Sequence, residues 1–388
     1  MRSLLPVIAV GLLGATAFQT SLLNAVGMTA FLLLGVPIGV FVDRWPKKTC
    51  LVGANLVRAV AVLTIPVAYF GGVLHLWHLL VVAGVVSVAD VIFTTAHSAL
   101  LPLLLRGPRL GDGYALMQSA QSGVAIAAPG LAGLLLKVMA APVILLGAGS
   151  AYLISAAVTS QLPVDRPTGA KPTDRFWTQA RDGLGYTLRH PLLRTLMMSV
   201  ALINAAGMFG LAAKIVFALD TLQIPVGHFV ILGAFSAAGG LLAALTATRI
   251  TRRLGVGRTK ILASLLSAAF VVLIPSAPLL GLQPVVWIGL SGVGWTFFVV
   301  LSGLAGAGIL PRLIPQHLMG RVMSTYRLFT LGVMPLASLA GGGLAAVTGI
   351  IPVLWAWAII AAASAIPLLA SPIRSWKQFP TELDVSVV

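Results

Sequence analysis

The connectors Gly39-Val40-Phe41-Val42-Asp43-Arg44-Trp45-Pro46-Lys47-Lys48 and Gly71-Gly72-Val73-Leu74-His75-Leu76 bracket one apolar run, Thr49–Phe70. As a helix, such a run crosses a hydrocarbon core of about 30 Å. One bracket carries three cations and the other carries no Lys or Arg. Outward from this pair the same alternation continues along the whole chain. Basic connectors hold Arg106 and Arg109; Arg166, Lys171, Arg175, Arg181, Arg189 and Arg194; Arg249, Arg252, Arg253, Arg258 and Lys260; Arg312, Arg321 and Arg327; and Arg374 and Lys377. All of the 25 Lys and Arg except Arg2, Arg58, Lys137 and Lys214 fall in every second connector. Connectors near residues 71–76, 140–142, 220–228, 280–284 and 348–351 hold none. The positive-inside rule therefore makes the basic connectors and the C-terminus cytoplasmic.

Composition points the same way, with 59% hydrophobic and 9% charged residues in 388. An ordinary water-soluble domain does not have this balance. The expected fold class is an all-α polytopic membrane protein in contact with the lipid bilayer. Its net charge of +16 is divided among loops facing anionic headgroups, so nucleic acid is not an expected partner. The single Cys50 excludes an intramolecular disulfide and a Cys-based metal site. No cofactor or metal is expected.

Eleven full spans are predicted: Gln19–Val42, Thr49–Phe70, Trp77–Leu100, Tyr114–Met139, Pro142–Leu162, Thr195–Leu219, Gly227–Thr248, Thr259–Leu280, Val285–Leu310, Val322–Val347 and Ile351–Ser371. They group as an N-terminal bundle (1–162), a cytoplasmic linker (163–194), a C-terminal bundle (195–371) and a cytoplasmic tail (372–388). Leu4–Ala17 is apolar but would reach only about 21 Å as a helix. It reads either as a signal peptide with Ala15-Thr16-Ala17 as cleavage site, or as the outer half of a truncated first helix. The halves repeat. Leu100-Leu101-Pro102-Leu103-Leu104 recurs as Ile309-Leu310-Pro311-Arg312-Leu313, and Arg44-Trp45-Pro46-Lys47-Lys48 corresponds to Arg249-Ile250-Thr251-Arg252-Arg253. Two such half-proteins are common in secondary transporters, with the substrate site between them near the bilayer midplane.

The connector at residues 39–48 resembles the signature loop between helices 2 and 3 of the major facilitator superfamily, with Pro46 where the family usually has Gly. Asn55-Leu56-Val57-Arg58-Ala59, Arg189-His190-Pro191-Leu192-Leu193-Arg194 and Ile314-Pro315-Gln316-His317-Leu318-Met319-Gly320-Arg321-Val322 look like its macrolide-efflux and enterobactin-exporter branch. The resemblance implies a twelve-helix, 6+6 bundle that is a transporter rather than an enzyme. It implies proton-coupled export of amphipathic drug-like compounds or a secreted metabolite from a bacterial inner membrane. A siderophore exporter, an importer, and a non-transporting receptor or assembly partner are the alternatives. The expected partners are a small-molecule substrate and protons, and the expected state is a monomer. The resemblance also implies an inner gate of Gly39, Asp43, Arg44, Lys47, Lys48 and Arg58, with Thr248 replacing the carboxylate in the second half. A partial antiporter motif, Ala128-Pro129-Gly130-Leu131-Ala132-Gly133, would bend its helix at Pro129, Gly130 and Gly133.

Asp90 lies near the middle of its span, where an ionised carboxylate is costly and usually functional. Thr94 and His97 follow at i+4 and i+7 on one helix face. Desolvation favours the neutral form of a carboxylate, so an acid here is suited to taking up and releasing a proton. Asp90 is the expected coupling acid with His97 as a possible relay, and a structural pair with Arg58 is the alternative. Lys214 either snorkels to the outer surface or contacts an anionic substrate. Asn24, Thr94, Gln118, Gln121 and Asn204 complete the expected cavity. Phosphate-loop, zinc-hydrolase and nucleophile-elbow motifs are absent from the sequence, which disfavours an ATP-driven pump and a hydrolase.

Overall fold

The computed structural model describes residues 4–104, 124, 131–132, 134–136, 138–161, 185–279, 283–306, 309, 313–314 and 319–376. At Gly39, Asp43 and Arg44 the description covers the backbone alone. Gln118, Gln121, Pro129, Gly130, Gly133 and most of the span Tyr114–Met139 lie outside the described residues.

The described segments are helices and short connectors. They are α1 (Leu4–Leu13), α2 (Ala17–Arg44), α3 (Lys47–Phe70), α4 (Leu76–Leu104), α5 (Ala141–Ser160), α6 (Pro191–Val216), α7 (Val226–Leu254), α8 (Val256–Ser276), α9 (Pro284–Gly306), α10 (Met319–Thr348), α11 (Ile350–Ala363) and α12 (Ile366–Leu369). Among the described residues, ten helical stretches are long and apolar enough to cross a membrane. Many of their side chains face outward, including Val60, Val67, Val81, Ile154, Leu245 and Ile359. An apolar surface of this extent suits lipid and not water. The protein is a multi-pass α-helical membrane protein.

The chain divides into two compact units, Met1–Thr173 and Asp174–Val388. In the first, α3 packs on α5 and α4, and α2 packs on α4. Leu4, Leu5, Ile8 and Ala9 of α1 join Leu23, Val62, Ile65, Leu79, Val82 and Leu145 in one core cluster. The short N-terminal helix is thus a packed element of this unit. It ends at Gly14, whose φ of +63° is a left-handed conformation that glycine adopts without a steric penalty. Thr16 and Gln19 then form a capping box that starts α2. Gln19 N donates to Thr16 Oγ1 at 3.3 Å, and Thr16 N donates to Gln19 Oε1 at 2.9 Å.

In the second unit α7 packs on α9, α9 on α8, and α6 on α10 and α11. Small residues permit these approaches: a methyl on Gly239 would collide with the carbonyl of Val293, and one on Gly210 would collide with the Trp357 ring. Two spans differ from their predicted form. The helix beginning at Pro191 ends in a π-helical turn, Phe217–Thr221. The last span, expected as one helix over Ile351–Ser371, is interrupted between Ala363 and Ile366. Pro367 explains the interruption, because it has no N–H for the carbonyl four residues earlier and its ring crowds that carbonyl.

Candidate functional site

Arg58 sits half-way along α3, where a lone guanidinium would be very costly in a membrane. The fold surrounds it. Its Nη1 donates to Asp90 Oδ1 on α4 at 2.9 Å, and its Nη2 donates to Asn55 Oδ1 one turn back at 2.7 Å. The guanidinium plane lies 4.1 Å from the Phe93 ring centroid and 4.9 Å from that of Tyr152 on α5. Both distances are within cation–π range. Asn55 Nδ2 in turn donates to Ser155 Oγ on α5 at 2.9 Å. One ion pair, one amide and two aromatic faces therefore tie three helices together. The arrangement follows from helical spacing: Asn55 and Arg58, Asp90 and Phe93, and Tyr152 and Ser155 are each three residues apart and share a face.

The ion pair is mostly shielded, with the Arg58 and Asp90 side chains 7% and 16% exposed. Coulomb attraction is strong at such a site, and so is the penalty for leaving either charge alone. Along the Asp90 face, Thr94 Oγ1 donates to the Asp90 carbonyl at 2.7 Å. The His97 ring stacks on Phe93 with centroids 5.5 Å apart and planes at 14°. Phe93 therefore carries Arg58 and His97 as neighbours.

The structure brings together Arg58, Asp90, Thr94 and His97 from the expected set. Arg58, expected among the gate residues, is bonded to Asp90 and Asn55. Lys47 is buried at the start of α3, and its Nζ donates to the Val42 carbonyl at 2.5 Å, which closes the connector on itself. Lys48 is half-buried. Asn24 lies on α2 with a buried Nδ2 that has no hydrogen-bond partner among the described residues. Asn204 and Lys214 belong to the second unit. Asn204 Nδ2 donates to the Thr330 carbonyl at 2.9 Å and joins α6 to α10. Lys214 is half-buried on the last turn of α6, where a methyl on Gly292 of α9 would stand 3.7 Å from its Nζ. Phe93, Tyr152 and Ser155 were not foreseen. An intramembrane Arg does signal that partners must exist, but it does not say which helix supplies them.

A sequence model of the Major Facilitator Superfamily matches residues 1–334. The chain belongs to that superfamily. Within it, the chain is 31% identical over 123 residues to macrolide efflux protein A of Streptococcus pyogenes, a match covering 32% of this chain and 30% of that protein. It is also 31% identical over 116 residues to macrolide efflux protein A of Enterococcus faecalis, covering 30% of this chain and 36% of that one. These matches thus span about a third of the length of the curated relatives. Among solved structures, a nucleoside transporter, NupG, superposes with a TM-score of 0.75 at 14% identity, over 95% of this chain and 94% of that one. A bacterial homologue of the iron transporter ferroportin, in an inward-facing state, superposes at 0.70 with 15% identity, over 94% and 93%. At such identities the likeness is one of fold. It establishes the major facilitator fold for this superfamily member.

Proposed function

We propose that this protein is a secondary active transporter that exports amphipathic compounds from bacteria across the plasma membrane by alternating access, in exchange for protons. The observation that carries the proposal is the Arg58–Asp90 pair at mid-span, shielded and held from three helices. A carboxylate there has two stable arrangements. Ionised, it is held by Arg58; neutral, it releases that partner. Asp90 takes a proton from the outer side, the pair opens, and the proton leaves to the cytoplasm when Asp90 and Arg58 close again. Asn55 and the Phe93 and Tyr152 rings keep the guanidinium in place meanwhile.

The macrolide efflux proteins that match part of the chain favour export over import. Charge along the connectors favours a cytoplasmic C-terminus. In this reading the basic connector at residues 39–48 forms the inner gate, 163–194 the cytoplasmic linker, and 372–388 the tail. Seven of the nine acids lie in cytoplasmic segments on this topology, with Asp90 and Asp220 the exceptions.

Uptake of macrolides, lipophilic dyes and siderophores into inverted membrane vesicles, driven by an acid interior, tests the proposal. Accumulation that a protonophore abolishes is expected for the wild type. Asp90→Asn is expected to insert normally and to lose proton-driven accumulation. Unchanged accumulation with unchanged pH dependence in that variant would remove Asp90 from the coupling role.

A further inference from the structure

The second unit contains two lysines turned into its helices, and they differ in one respect. Lys260, buried in α8, donates its ammonium to the Ser302 carbonyl at 3.0 Å near the end of α9. It is a cation placed on helix-terminal carbonyls, which accounts for its position. Lys214 makes no such bond. Among the described residues its ammonium has no hydrogen-bond or ion-pair partner, although it turns inward from α6 toward α9. At its tip stands Gly292. A methyl there would overlap the Ser236 hydroxyl of α7 and lie within van der Waals contact of Lys214 Nζ. The hydroxyl and the ammonium therefore both lie close to Gly292. Ser236 Oγ donates to the Leu232 carbonyl at 3.0 Å, which leaves its lone pairs as acceptors. Gly239, one turn further along α7, brings α7 and α9 into backbone contact beside Gly292.

We infer that Lys214 is the anion-recognising residue of the transport path, so that the exported compounds are amphipathic organic anions whose carboxylate or sulfonate is held at Nζ beside Gly292. This assignment rests on the transporter reading above and names the substrate class within it. A charged ammonium left in the bundle without a carboxylate is a cost that a bound anion removes. Lys214 is only half-buried, so its side chain stays reachable by an anionic head.

Fluorescein and rhodamine 123 share a xanthene skeleton and carry opposite charge, and they serve as the probes. Binding to purified protein is read by thermal stabilisation, and export by accumulation in inverted vesicles. Fluorescein is expected to bind and be exported by the wild type, with at least a tenfold loss of both in Lys214→Met. Retention is expected in Lys214→Arg, and in Lys260→Met wherever that variant folds. Rhodamine export without fluorescein binding, or fluorescein binding unchanged in Lys214→Met, would overturn the assignment while leaving the transporter reading intact. Fluorescein binding that depends on Lys214 without flux of either dye would uphold the anion site and count against transport. Neither binding nor flux of fluorescein would overturn the assignment.

Discussion

Removing one partner of the Arg58–Asp90 pair should be far more damaging than removing both. The pair is 2.9 Å apart between Nη1 and Oδ1, with side chains 7% and 16% exposed. At about 4 Å between charge centres and an effective dielectric constant near 20, its attraction is roughly 4 kcal/mol. Desolvation offsets most of that in the intact pair, but the remaining polar contacts compensate it only in part once the opposite charge is removed. Asp90→Leu and Arg58→Met should each cost about 3–5 kcal/mol. The double variant should recover most of the loss, because two apolar side chains in a membrane interior need no partners. The Asn55 carbonyl oxygen that accepts from Arg58 then loses its donor, which leaves a residual cost of about 1 kcal/mol. Equilibrium unfolding of the purified protein in mixed micelles, run as a double-mutant cycle, measures the coupling. A coupling energy below about 1 kcal/mol, with the two losses simply adding, would refute the reasoning. That result would mean that both charges are hydrated and that the pair is incidental.

Other expectations concern packing, titration and topology. Gly210→Ala should destabilise the second unit by about 1–3 kcal/mol, because the new methyl meets the Trp357 ring. Trp357→Leu should recover part of that loss, whereas Gly239→Ala, which meets the Val293 carbonyl, should have no comparable single-residue rescue, and thermal midpoints of the variants check both. His190, immediately before α6, has its pKa held below the usual 6.5 by burial. Well above pH 6.5 it is neutral in both states and contributes no pH dependence. Below that value the unfolded chain takes the proton first, so stability should fall with pH by at most about 1.4 kcal/mol per unit. His190→Gln should flatten that part of the unfolding profile. Alkaline phosphatase fused in the connector near residues 71–76 should be active, and green fluorescent protein fused after Val388 should fluoresce, since cations mark the opposite faces. An inactive phosphatase at residues 71–76 would invert the topology.

Much of the membrane fold was legible because bilayer crossing imposes constraints that sequence records directly. Apolar length sets the spans and Lys/Arg placement sets their direction, and neither depends on which helix packs on which. The break before Ile366 was legible in Pro367 but was hidden by the uninterrupted apolar run around it. The site was legible only at its charged members. Asp90 and Arg58 stand out because an intramembrane charge is rare, and their equal depth suggested the pair. Tyr152, Ser155 and Phe93 do not stand out, since aromatic and small hydroxyl residues are ordinary in such helices. Their roles arise from α3, α4 and α5 meeting at one level, a long-range fact that local periodicity does not contain. Lys214 marks the same boundary from the other side. Sequence left open whether its amine reaches the outer surface or an anion, because a four-carbon stem permits either. Its Nζ stands 3.7 Å from where a methyl on Gly292 would lie, and of the two readings we take the anion. Arg58 and Lys260 show what this fold does with a buried cation when its task is structural: it supplies carboxylate, amide or carbonyl oxygens to the charged group. Lys214 has none of these among the described residues, and an anion that arrives with the substrate is the partner we propose for it.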